Sequence, residues 1–358
     1  MKQVVLYALF LLLLVGLLPL ICLLPQASAA AAEAFSGPVL PAADSMPGAP
    51  PEAACSEAAC SEAACSEAVP PSPAPDAAPA EGTILLQDSD TGALLTPAVQ
   101  EYLVGAAASE MPATWPEQAL LAQMVASHSF VLYQKEHCED PAAGWIGVAP
   151  ARMQGYLTPE VRAARWGEHA QEFEEKLQAL AAQVSHVLLL YDGRPAAACY
   201  HAISRGRTEA SQNVWEQALP YLQGVDSPLD KNAEGFAQSV EFTPQQMADA
   251  LSAQLGITPG GDADSWFGET QWYDTGYVRS IEICGQSVAG VKLRQALGLR
   301  SNCFSISLSD GNFFVSTHGY GHGVGLSQWG ARLMAEQGAG WQEILAHYFP
   351  GTTIGEAL

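Results

Sequence analysis

"HGYGHGVGLSQWGA" (His318–Ala331) sets glycine at every second position from Gly319 to Gly325. A dinucleotide fingerprint needs G-x-G-x-x-G, yet the third glycine would fall at Val324 or at Leu326. A P-loop needs G-K-[ST], which is absent. A nucleophile elbow needs G-x-S-x-G, and here Gly330 lies one residue too far from Ser327. His318 and His322 are four apart, but zincin ligands sit in H-E-x-x-H on a helix, and this backbone is too rich in glycine to form one. What remains is conformational: glycine allows positive φ, or close approach of another backbone or a ligand. Two readings stay open. The segment is a tight strand-to-helix crossing with His322 hydrogen-bonded in the core, or a loop whose free N–H groups face a ligand.

Outward from this stretch the pattern changes period. Before it, "CFSISLSDGNFFVSTHG" (Cys303–Gly319) alternates like a hairpin turning at Asp310-Gly311. After it, helices are expected near Ser327–Gln337 and Trp341–Tyr348, separated by Gly338 and Gly340. Further upstream, "TILL" from Thr83 is a short strand candidate. Thr96-Pro97 is a helix start with proline where its missing N–H does no harm, and that helix runs to about Ala108. Thr114-Trp115-Pro116-Glu117 fits a capping box opening a second helix, with Glu117, Leu121, Met124, His128 and Val131 on one face. A third helix is predicted over roughly Pro159 to Val184. "HVLLLYDGRPAAACYHAI" then gives two strand-like runs around Asp192-Gly193, followed by a loop-rich stretch. Strands and helices mix without regular βαβ alternation, so the fold class is α+β, a single large domain of β-hairpins and packed helices over residues 83–358.

The chain has 358 residues, 49% of them hydrophobic, and a formal net charge of −23. That charge excludes nucleic acid or an anionic membrane surface as the main partner. The uncharged run Val4–Pro25 follows Lys2 and is long enough to supply the ~20 apolar residues that span a bilayer. Its length favours an uncleaved signal-anchor over residues 1–25; Ala27-Ser28-Ala29 fits the alternative of cleavage and secretion. Either way the remainder is exported. Residues 26–82, rich in Ala, Pro, Ser and Glu, read as a disordered linker. Within it a repeat places Cys55, Cys60 and Cys65 at a five-residue period, which is not a C-x-x-C metal spacing. The spacing of Cys138, Cys199, Cys284 and Cys303 assures no disulfide.

Four ordered blocks carry a family resemblance. "EYLVGAAASEMPATWPEQALLAQMVASHSF", "YHAISRGRTEASQNVWEQALPYLQGVDSP", "LRQALGLRSNCFSI" and "GYGHGVGLSQWGARLMAEQGAGWQEILAHYFPGTTI" resemble the stage II sporulation protein D and amidase enhancer family. The resemblance implies a membrane-tethered peptidoglycan lytic transglycosylase that cuts glycan strands stripped of stem peptides during forespore engulfment or related wall remodelling. It also implies partners: an amidase of the stage II sporulation protein P type and stage II sporulation protein M. The alternative is a non-catalytic glycan-binding module that stimulates a partner amidase.

A lytic transglycosylase runs on one carboxyl, unlike hydrolases that need a pair. Glu110 and Glu117 are the candidates. Glu117 has a structural task as partner of Thr114, and the family's catalytic glutamate matches Glu110 in "SEMP", which is expected in an inter-helix turn. Met111 and Trp115 are placed to supply the apolar setting that keeps an acid protonated near neutral pH. Tyr200, His201, Ser204, Thr208 and Glu209 are either sugar contacts or a polar loop with local hydrogen bonds, while Arg207 lies among them. His322, Ser327 and Gln328 would close the same groove. Tyr348 and Phe349 read as core.

The sequence also departs from the family. Leu121 and His128 stand where its second helix is basic, and His128 reads as a neutral core histidine. Ala202 and Ile203 replace hydroxyl side chains. Gly147, Arg152 and Met153 stand where some members carry zinc ligands, and His137-Cys138 are too few for a four-ligand site. No metal and no cofactor are expected.

Overall fold

Among the described residues, the hairpins and helices around the glycine-rich stretch enclose two large hydrophobic cores, with a small third cluster of Ala202, Ile203 and Ala233 beside that stretch. The molecule is described here by a computed structural model covering residues 82–357 apart from Glu216. The apolar run Val4–Pro25 and the linker cysteines lie outside the described residues, among which no helix is long and apolar enough to cross a membrane.

The first core is built on helices. Strand β1 (Leu86–Asp88) pairs antiparallel with β2 (Leu94–Leu95) and parallel with β3 (Ile146–Val148). Between them run α1 (Val99–Glu110) and α2 (Glu117–His137). Every residue of α2 from Ala119 to Val131 is buried. A helix apolar all round must run through a core rather than along it, and the alanines and serines of α2 let several neighbours approach. His128 accordingly lies inside. Its Nδ1 donates to the Val187 carbonyl at 3.1 Å, and burial lowers its pKa to about 4, so it is neutral.

Three expectations change here. Helix α1 starts two residues later than predicted and reaches Glu110, which ends the helix rather than sitting in a turn. No capping box forms at α2: Pro116 takes the cap position, which puts Thr114 outside the helix and leaves Glu117 exposed in the first turn. The single helix expected over Pro159–Val184 is two, α3 (Pro159–Trp166) and α4 (Ala170–Val184), broken at Gly167 with φ 56°. Buried Arg162 ties the pair back to α1, reaching Glu101 at 2.7 Å and Glu174 at 2.8 Å.

Strand β4 (Val187–Tyr191) turns into β5 (Arg194–Pro195) through Asp192 and Gly193, both at positive φ, as the Asp-Gly signal predicts. Strand β6 (Tyr200–His201) leaves that hairpin to pair elsewhere.

The second core is mostly sheet. Here β7 (Ala237–Phe242) leads through α5 (Pro244–Leu255) to the antiparallel β8 (Phe267–Trp272), β9 (Val278–Ile283) and β10 (Gln286–Ala289). Helix α6 (Gly290–Ala296) follows, then the hairpin β11 (Phe304–Ser309) and β12 (Asn312–His318), with β12 central between β11 and β7. Phe313, Val315 and Thr317 alternate into the interior, the period of a half-buried strand.

The chain then returns to the first core as β13 (Leu326–Ser327), α7 (Gln328–Glu336), α8 (Trp341–Tyr348) and β14 (Thr353–Glu356), with β14 on the free edge of β4. Tyr348 and Phe349 are buried, as expected of core residues. The mixed α+β class stands.

Candidate active site

Glu110 is delivered into the molecule by the helix that carries it. Residues Tyr102 to Glu110 of α1 are all buried, and Glu110 itself is only 5% exposed. Its Oε2 accepts from Gln328 Nε2 and its Oε1 from Ser109 Oγ, both at 3.4 Å, long for hydrogen bonds. Burial dominates over these donors and over the positive charge of Arg165, and pushes the carboxyl pKa up to about 7. Met111 and Trp115, expected to supply an apolar setting, are both buried in the first core.

The end of α1 and the turn that follows are gripped by cations. Arg165 Nη1 on α3 donates to the Ala108 carbonyl at 3.0 Å, and Lys176 Nζ on α4 donates to the carbonyls of Ala113 and Trp115 at 2.7 and 3.0 Å. Trp115 meets Trp329 edge-on at 5.4 Å, and the Arg332 guanidinium lies 4.6 Å from the Trp329 ring centre and 5.3 Å from that of Trp115.

Gln328 comes from the other end of the chain. The Ser327 hydroxyl caps α7 by accepting from the Gly330 amide, which fixes the first turn of that helix. The same Gln328 Nε2 also reaches Gln123 Oε1 at 3.3 Å, and Gln123 donates to Ser127 Oγ at 3.1 Å. A buried polar chain thus leads from the carboxyl into α2.

The glycine segment places that helix. Gly319, Gly321, Gly323 and Gly325 all have positive φ. Tyr320 and Ile203 exchange backbone hydrogen bonds, Glu209 N donates to the Gly323 carbonyl, and Leu326 N donates to the Cys199 carbonyl. A Cβ on Gly325 would collide with the Cys199 carbonyl oxygen, so only glycine fits there. Val324 is held on both sides: its amide donates to His322 Nδ1 at 3.1 Å, and its carbonyl accepts from His201 Nδ1 at 3.0 Å. His322 is 7% exposed, and burial and the neighbouring His201 lower its pKa, as burial lowers that of His201 to about 4. Both rings are neutral parts of the crossing.

A sugar-facing role needs exposed polar atoms, and several predicted contacts have none to offer. Ser204, Thr208 and Glu209 are buried. Ser204 Oγ accepts from the Gly206 amide, and its own amide donates to Asp230 Oδ2. Thr208 Oγ1 accepts from the Val225 amide. Glu209 accepts from the Ala210 amide, Asn213 and Thr275, and burial raises its pKa. Ser327 is spent on its cap, and Tyr200 is half-buried beside β13. Of the predicted set, the structure brings Gln328 to Glu110.

Sequence reading missed Gln123, Ser109 and Arg165. Gln123 and Ser127 carried a signal, a polar pair one turn apart in an apolar helix. Arg165 carried none, because only the fold brings α3 to the end of α1. What the arrangement can do is hold a proton on one carboxyl near neutral pH and release it.

The SpoIID family model, described as "Stage II sporulation protein", matches residues 87–191, which include Glu110. The chain is 32% identical over 262 residues to Stage II sporulation protein D of Bacillus amyloliquefaciens, covering 72% of this chain and 74% of that protein. It is 31% identical over 262 residues to the protein of the same name in Bacillus subtilis (strain 168), covering 72% and 75%. To the Amidase enhancer of Bacillus subtilis (strain 168) it is 26% identical over 306 residues, which cover 70% of this chain and 40% of that protein.

Proposed function

The chain belongs to the stage II sporulation protein D family, and from that premise we propose that it is a lytic transglycosylase of peptide-stripped peptidoglycan strands, acting on the cell wall in sporulation. The observation that carries this reading is Glu110, a buried carboxyl whose pKa near 7 leaves it able both to give and to take a proton. Glu110 protonates the glycosidic oxygen as the bond to the anomeric carbon of a muramic acid residue breaks. The carboxylate then takes the proton of that sugar's C6 hydroxyl, whose oxygen bonds to the anomeric carbon. A 1,6-anhydro end forms, no water is consumed, and Glu110 regains its proton.

The apolar run Val4–Pro25 would hold this domain at the outer face of the membrane, within reach of the wall. An amidase of the stage II sporulation protein P type would strip the peptides, and stage II sporulation protein M would be the membrane partner.

The relative named Amidase enhancer favours a second reading, a glycan-binding module that stimulates an amidase. Incubation with stripped strands separates the two. The transglycosylase reading expects 1,6-anhydro ends by mass spectrometry with the wild type and none with Glu110→Gln. Identical products from both would sink it, while retained strand binding would sustain the second.

A further inference from the structure

Acidic side chains outnumber basic ones 38 to 15 in this chain, so carboxylates are plentiful as partners for a basic side chain. Among the described residues, Arg152, Arg162, Arg194, Arg207 and Arg332 each form an ion pair. Arg165 does not. It is half-buried and makes one hydrogen bond, from Nη1 to the Ala108 carbonyl, two residues before Glu110. That bond anchors the guanidinium at the end of α1. A guanidinium has five donors in a planar fork, so one bond to a carbonyl leaves most of its capacity for a second acceptor. Lys176 is spent on two carbonyls and Arg332 on Glu336. Glu110 itself forms no ion pair with Arg165 among the described residues, although the two charges feel each other.

We propose that Arg165 reads the free carboxylate of the lactyl group that a muramic acid residue carries once its peptide has been removed. The inference rests on the transglycosylase reading, in which the muramic residue lies against Glu110. The chemistry follows from the substrate. A peptide-bearing residue presents a neutral amide at that position, and a stripped one presents an anion that a guanidinium fork matches with two parallel hydrogen bonds. A cation anchored beside the proton donor, without a carboxylate of its own, therefore converts removal of the peptide into tighter binding at the acid. Arg165 is a specificity residue in this scheme, and the proton transfers remain those of Glu110.

The test uses the purified full chain and two substrates made from one preparation: amidase-stripped strands, and the same strands with their lactyl carboxylates converted to methylamides. Binding and kcat/KM are measured on each. The wild type should favour the carboxylate strands by about tenfold, the low end for a charge-assisted contact at a half-buried site. In Arg165→Gln that preference should vanish, with the carboxylate strands falling to the level of the methylamides through KM, and Arg165→Lys should restore part of it. Unfolding midpoints of the three proteins show whether each is folded. Equal handling of both strands by the wild type overturns the proposal. So does an equal loss on both in Arg165→Gln. If the wild type leaves no anhydro ends on either strand, the transglycosylase reading falls. Binding then decides the proposal: a carboxylate preference that Arg165→Gln abolishes supports it, and no preference or no binding overturns it.

Discussion

Replacing Glu110 by glutamine removes a titrating group while keeping its shape, so stability should register the burial of the acid directly. The folded carboxyl has a pKa of about 7 against an ordinary value of 4.5. Because the folded value is raised, the native state keeps the proton over a range in which the unfolded chain has lost it. Wild-type stability therefore falls as pH rises from about 4.5 through about 7, and the loss is complete above that. At 1.36 kcal/mol per unit, the shift corresponds to about 3 kcal/mol. With Glu110 only 5% exposed, solvent screening reduces this little. Urea unfolding of wild type and Glu110→Gln at pH 4.5 and pH 8.5 measures the gap. The variant should gain about 3 kcal/mol on the wild type between the two, or about 5–10 °C in melting temperature for a domain of this size. A gap that stays constant with pH, or widens toward acid, would refute the argument that Glu110 is held protonated by burial.

Other outcomes follow from the same geometry. The pH profile of kcat/KM for strand cleavage should fall as pH rises through about 7, because the donor must hold its proton, and Glu110→Gln should lose at least about a hundredfold in rate. Gln328→Met removes a donor that favours the ionised carboxyl, so the alkaline limb of that profile should move to higher pH. Arg162→Leu strips two carboxylates of a buried partner and should cost about 3 kcal/mol in urea unfolding. Gly325→Ala forces a Cβ against the Cys199 carbonyl at φ 73° and should cost more than about 2 kcal/mol, read by the same assay.

Where turn chemistry is local, the fold was legible. Asp192-Gly193 and Asp310-Gly311 predicted their hairpins because positive φ at an Asp-Gly pair suits few other turns. His128 was legible as neutral because an apolar helix face has no place for a charge. The break at Gly167 was not, since the residues on either side form helix readily and the choice lay with packing against α1. The capping box failed for a related reason: T-x-x-E fixes a spacing, but Pro116 took the cap. At the site, the sequence singled out a candidate acid, Glu110, whose burial only the fold shows. Its partner Gln328 lies 218 residues away, and only the return of the chain from the second core brings them together. Ser204, Thr208 and Glu209 misled because polar side chains near a strand end serve internal satisfaction as readily as sugars.

The alternating glycines have a consequence for how relatives are told apart. Each one faces a different neighbour: the Ile203 carbonyl at Gly319, His201 Cβ at Gly321, Tyr277 at Gly323 and the Cys199 carbonyl at Gly325. Substitution at any of them would strain the joint between the two cores, whatever chemistry the protein performs. Selection for folding alone would therefore preserve this signature in a descendant that had exchanged its acid for another residue. The most recognisable words in the sequence certify ancestry and assembly, and the proposed acid is a single letter elsewhere, at the end of α1.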